Sequence, residues 1–182
     1  MTSLPDLTGE LTGKAKDIYD KMLAKRMAQG TGLRGLYIPL MNHPELAQLI
    51  EQLGYYLKFE GKLPRDAYQL VVLSMARRTG VAFEWVDHLT PAREAGLSDS
   101  LVESILKSDR SSIPHPYSVI LDTIDVVLEF KSIPENIQNE MIKLYGVQGL
   151  LEVVTLCGFY QTVGEITQAF DVPLPEGAAK PF

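Results

Sequence analysis

Several things are scarce in this chain of 182 residues, and each scarcity excludes a class of function. There is one cysteine, Cys157, so no internal disulfide and no dithiol chemistry within one chain can form; a lone thiol fits a reducing compartment. A positive excess is also missing. With 17 Lys and Arg against 23 Asp and Glu, the net charge of −6 and pI near 5.1 speak against a phosphate-binding footprint, so no nucleic-acid partner is expected. The densest basic stretch, Lys14 to Arg26, interleaves Asp17 and Asp20 at helical spacing and reads as a solvated helix face.

No apolar run approaches the ~18 residues needed to span a bilayer, and the start, "MTSLPDLTGELTGK", has neither a basic segment nor an apolar one after it. The expectation is a cytoplasmic protein with no membrane partner. Histidines number three, and His43 and His115 stand apart from His88 without ligand spacing, so neither a metal site nor a cofactor is expected.

What is present is helical periodicity. Apolar residues recur at intervals of three and four, and alternating β-branched runs are rare, so the fold class is all-α with seven or eight helices in one domain, 1–182. The first helix runs from about Lys14 to Ala28, followed by a Gly-rich connection, "QGTGLRGLYIPLMN". Asn42 can cap the next helix, with Pro44 in its first turn and Leu46, Ile50, Leu53 and Leu57 as its apolar seam. Pro64 opens "RDAYQLVVLSMARR", apolar almost all round and therefore central. Gly80 interrupts it, Gly96 suits a left-handed C-terminal cap, and Ser98 or Ser100 can start the helix after that. Three further helices follow, with a stop at Gly146, and the Pro-rich arm 171–182 is expected to lie on the surface or on a neighbour.

The segment "GVAFEWVDHLTPAREAGLS" raises the chemical question. At roughly 100° per residue, Ala82, Trp85, Val86, Leu89 and Ala92 form one stripe, with Glu84 and His88 one turn apart at its border. Two readings stand. The pair is either a solvated carboxylate–imidazole contact worth ~0.3 to 0.5 kcal/mol, or a general acid–base pair facing a cavity. Pro91 removes an N–H and should kink the helix. Cys157, in "VVTLCGFY", has apolar neighbours and reads as core packing rather than as a reactive thiolate.

From "NHPELAQLIEQLGYYLKFEGKLPRDAYQLVVLSMARRTGVAFEWVDHLTPAREAGLSDSLVESI" through "GLLEVVTLCGFYQTVGEITQAFDVPLPEG", about 42–176, the chain resembles the carboxymuconolactone decarboxylase family, in the superfamily of alkyl hydroperoxidase D. The most specific part is Glu84–Trp85, His88, Ala92 and "AGLS" behind an apolar helix. The resemblance implies a helical fold assembling as a homo-oligomer, trimer or hexamer, with a pocket near subunit contacts. Peroxidase relatives use Cys-x-x-Cys with an upstream glutamate; at the matching positions this chain has Val81, Glu84 and Gln69, so thiol peroxidase chemistry is not expected. The decarboxylase branch implies proton transfer on a small acid or lactone. His88 would then be general acid or base, Glu84 its partner and Gln69 a hydrogen-bonding orienter, with Phe83 where relatives carry tyrosine. The competing expectation is a non-catalytic oligomeric scaffold or ligand-binding protein in which the same trio satisfies itself.

Overall fold

In the computed structural model, which describes residues 4–182, eight α-helices and no strand are found among the described residues. They are α1 (Gly13–Met27), α2 (Tyr37–Leu40), α3 (Pro44–Tyr55), α4 (Arg65–Thr79), α5 (Ala82–Glu94), α6 (Asp99–Lys107), α7 (Tyr117–Leu128) and α8 (Glu135–Ala169). The protein is all-α.

α4 is the axis of the bundle. Every residue from Ala67 to Ala76 is buried, because α5, α7, α8 and α6 pack around it and leave no face for water. A helix wrapped in this way cannot be amphipathic, which is why its buried stretch is apolar on every side apart from Gln69 and Ser74. Gly80 ends it in the left-handed conformation (φ 71°), and the chain turns directly into α5. α5 runs on for a turn beyond Pro91 and stops before Gly96, whose φ of 102° closes the end as expected. Ser98, not Ser100, caps α6, its hydroxyl accepting the Leu101 N–H at 3.2 Å.

Several expectations are corrected. His43 rather than Asn42 caps α3: His43 Nδ1 accepts the Leu46 N–H at 3.3 Å, while the Asn42 amide is engaged by the Pro39 and Pro5 carbonyls. The seam of α3 is also rotated. Its buried residues are Ala47, Glu51, Gly54 and Tyr55; of the expected seam, Leu57 is buried in the turn after α3 and Ile50 packs half-buried against the core, whereas Leu46 and Leu53 are exposed, as is Leu49. Two contacts account for the rotation: Glu51 turns inward to meet Arg26 of α1 at 3.2 Å, and Gly54 lets Phe159 of α8 approach so closely that a Cβ would lie 2.7 Å from the ring. Arg26 is correspondingly buried instead of belonging to a solvated face.

Another concerns α8, which by length and composition could cross a bilayer, contrary to the expected absence of such a run. Gly146 (φ 70°, ψ 170°) breaks it where a stop was expected. The part after the break packs against α4 and α7 and turns an acid inward. Glu152 accepts the backbone N–H groups of Lys62 (2.8 and 2.9 Å) and Leu63 (2.8 Å), fixing the approach to α4. At the C-terminal arm, Phe182 stacks edge-on against Trp85 (5.9 Å between centroids), with the Arg77 guanidinium over its ring, so the arm lies on its own chain.

Candidate acid–base site

Packing of α4, α5 and α8 brings the three predicted side chains together. Gln69 comes from the centre of α4, Glu84 and His88 from the inward face of α5. The solvated-edge reading of Glu84 and His88 is overturned, since they are only 5% and 3% exposed and Gln69 is fully buried. The face of α5 is rotated from the expected stripe: Phe83, Glu84, Trp85, His88 and Ala92 are buried, and Ala82, Val86 and Leu89 are only half-buried. Phe83 helps set this rotation. Its ring rests on Gly35 (φ 61°), where a Cβ would lie 2.4 Å away, so that position admits only glycine for both space and backbone.

The imidazole is held from both sides. His88 Nδ1 lies 2.9 Å from Gln69 Oε1; with the amide in this orientation Nδ1 is the donor and Nε2 is left to accept. Nε2 faces the Tyr160 hydroxyl at 3.3 Å and Glu84 Oε2 at 3.8 Å. The Tyr160 hydroxyl is in turn 2.7 Å from that of Tyr68, giving a buried chain Tyr68–Tyr160–His88–Gln69 across three helices. Sequence reasoning missed both tyrosines. The available signal was a phenol in the middle of each of two apolar helices, because a buried hydroxyl needs a partner.

Burial, more than any neighbour, sets the charge states. Glu84 is pushed up to about 8, first by burial and then by Asp87, against the opposing pull of Lys58. His88 is held well below its ordinary range, first by burial and then by the cations Lys58, Arg65, Arg26 and Arg34. At neutral pH the site therefore contains a carboxylic acid beside a neutral imidazole, a proton donor next to a proton acceptor. Three buried atoms here have no hydrogen-bond partner in the protein, Glu84 Oε1, Gln69 Nε2 and Asp87 Oδ1, the last of which meets Arg34 only as an ion pair.

Glu84 and His88 form one wall of a cavity of about 100 Å³, large enough for several waters or a small organic acid. The Gly-rich connection between α1 and α2 contributes Thr31, Gly32 and Arg34 to the lining, and the turn that follows α3 contributes Lys58. Arg34 reaches across to Asp87 at 2.5 Å. Tyr37, on the same cavity, bonds the Arg26 guanidinium and is raised to about 12, chiefly by burial.

Cys157 lies outside this constellation, 1% exposed, with its thiol pushed up to about 12 by burial. It packs as a small apolar group and carries almost no thiolate at neutral pH. His43 is committed to the α3 cap, and His115 meets Glu140 at 3.0 Å on the surface. Among the described residues, no three His, Cys, Asp or Glu side chains are grouped to hold a metal ion. No family model, curated protein or solved structure matches this chain.

Proposed function

We propose that this chain is a carboxymuconolactone decarboxylase-like enzyme performing acid–base chemistry on a small carboxylic or lactone substrate, without cysteine redox. One observation carries the reading: a carboxyl that stays protonated at neutral pH and a bare imidazole nitrogen sit 3.8 Å apart on one cavity wall. Glu84 donates a proton to a developing oxyanion, His88 Nε2 accepts one from carbon or water, and Gln69 positions the ring by holding its Nδ1–H. Of the cations that depress His88, Lys58, Arg26 and Arg34 line the cavity and favour an anionic acid within it. With a buried thiol raised to about 12, the chain offers no nucleophilic sulfur for peroxide chemistry.

The scaffold reading requires the buried trio to satisfy itself. Glu84 Oε1 and Gln69 Nε2 have no protein partner, and Glu84 lines the cavity, an arrangement that favours a bound substrate over a closed polar network. We further infer a cytoplasmic homo-oligomer, trimeric or hexameric, supported by the exposed row Leu46, Leu49, Leu53 and Tyr56 along α3.

The test is turnover of a panel of small 3-oxo acids and lactones by the native protein and by His88→Ala. The variant is expected to fold and to lose turnover; unchanged turnover overturns the assignment. Native activity should fall above about pH 8 as Glu84 ionises, and also in acid as His88 takes a proton.

A further inference from the structure

The charges around the cavity are matched with one exception. Arg26 pairs with Glu51 at 3.2 Å and Arg34 with Asp87 at 2.5 Å, both carboxylates being near the cations they neutralise. Lys58, on the same cavity, forms no ion pair or side-chain hydrogen bond among the described residues. Its amine lies over the Phe59 ring, 5.6 Å from the centroid. A half-buried ammonium with carboxylates in the same cavity but no ion pair in contact needs an explanation.

Its backbone setting is also unusual. Lys58 is the middle residue of a single π-helical turn, Tyr56–Glu60, between α3 and the approach to α4. Such turns are rare and frequently occur at functional sites, because the extra residue re-aims a side chain. The Lys58 carbonyl accepts a hydrogen bond from the Arg65 guanidinium, which ties the turn to the start of α4. Burial above all holds the Lys58 amine below its ordinary range; Asp87, the strongest of the surrounding charges, opposes it, Arg26 and Arg65 add to the lowering, and Glu84 opposes it weakly. Desolvation beside other cations is the setting in which a lysine becomes a nucleophile at neutral pH.

We propose that Lys58 is a covalent catalytic residue of this cavity, its amine forming an imine with the ketone carbon of a small 3-oxo acid. The proposal rests on reading the cavity as an acid–base site, because Glu84 on its wall must supply a proton. Lys58 Nζ attacks the carbonyl carbon, and the resulting carbinolamine loses its hydroxyl as water once Glu84 protonates it. In the protonated imine, the bond between the α-carbon and the carboxylate breaks. Carbon dioxide leaves, and the electron pair moves into the iminium to give a neutral enamine. Protonation at carbon restores the iminium, which water hydrolyses to free ketone and amine. One proton is taken from solvent overall, and nothing is oxidised or reduced.

The experiment uses the full chain with acetoacetate and sodium cyanoborohydride, which reduces an imine to a stable secondary amine. Intact mass and peptide mapping then locate the adduct. One adduct per chain at Lys58, dependent on acetoacetate and lost in Lys58→Arg, is the expected result. Labelling spread over exposed lysines, or none at Lys58, overturns the imine. The two readings fail separately. A Lys58→Arg variant that keeps native turnover, with no adduct on the native protein, removes the imine and leaves His88 chemistry standing. A His88→Ala variant with full turnover whose Lys58 is still trapped removes the assigned base and leaves the imine.

Discussion

Glu84 should cost the fold stability, by an amount that depends on pH in a defined way. It is buried, and its carboxyl is raised from 4.5 to about 8, chiefly by that burial. Below about pH 4.5 it is protonated both folded and unfolded, and no penalty exists. As pH rises from there to about 8, only the unfolded chain releases the proton, so folding stability falls by about 1.4 kcal/mol per pH unit. At about pH 7 the accumulated cost is about 3 kcal/mol, a large share of the ~5 to 15 kcal/mol typical of a domain. Above about 8 both states ionise and the loss stops growing.

Glu84→Gln keeps the shape and removes the ionisation. The variant should match the native protein near pH 4.5 and exceed it by about 3 kcal/mol near pH 7, read from urea unfolding curves at a series of pH values. His88 contributes with the opposite sign. Its lowered value gives stability that is full above the ordinary 6.5 and lost as pH falls below it, and this contribution largely cancels when variant and native protein are compared at the same pH. A difference that is constant with pH, or that shrinks as pH rises, would refute the protonated-acid reading. A variant that is more stable yet inactive would also show that the acid is retained for chemistry rather than for folding.

Other outcomes follow from the same geometry. Tyr160→Phe leaves the Tyr68 hydroxyl buried without its 2.7 Å partner and should cost about 1 to 3 kcal/mol; adding Tyr68→Phe should cost less than the sum of the singles, and strict additivity in denaturation would contradict the bond. Gln69→Leu removes the acceptor of the His88 Nδ1–H, so ¹⁵N shifts of the ring should change from one tautomer to a mixture; an unchanged spectrum would deny Gln69 its positioning role. Leu49→Lys, at 64% exposure in the α3 row, should lower the assembled mass seen by light scattering, and an unaltered mass would place any self-association elsewhere.

The parts of the fold legible in the sequence are those governed by local rules. Gly80 and Gly96 have positive φ at helix ends, Ser98 meets the Leu101 amide, and Gly146 departs from helix geometry because none of these needs a distant partner. Helix faces are another matter. Periodicity places Leu46, Ile50, Leu53 and Leu57 on one seam of α3, but the face that turns inward is decided by what waits there, the Arg26 guanidinium and the Phe159 ring. Those groups come from α1 and α8, and no window along α3 contains them. A large apolar side chain can therefore remain outside while a glutamate goes in.

The same reasoning separates what could be read of the candidate site from what could not. Glu84 and His88 share a helix, so their mutual geometry follows from i, i+4 spacing alone. Whether that pair is wet or dry depends on α4 and α8. Gln69 and Tyr68 occupy successive positions on α4, and Tyr160 is three residues past Cys157 on α8; only packing makes the two hydroxyls meet and leaves Nε2 of His88 facing them. Lys58 is further from legibility, since its effect requires a π-turn that the apolar pattern of "LGYYLKFE" does not announce. Burial then converts these placements into chemistry. An i, i+4 carboxylate and imidazole in water would be an ion pair worth a few tenths of a kcal/mol. Enclosed together, with Asp87 beside the acid and Lys58, Arg65, Arg26 and Arg34 around the base, they become a neutral acid and a neutral base, a difference that no spacing rule encodes.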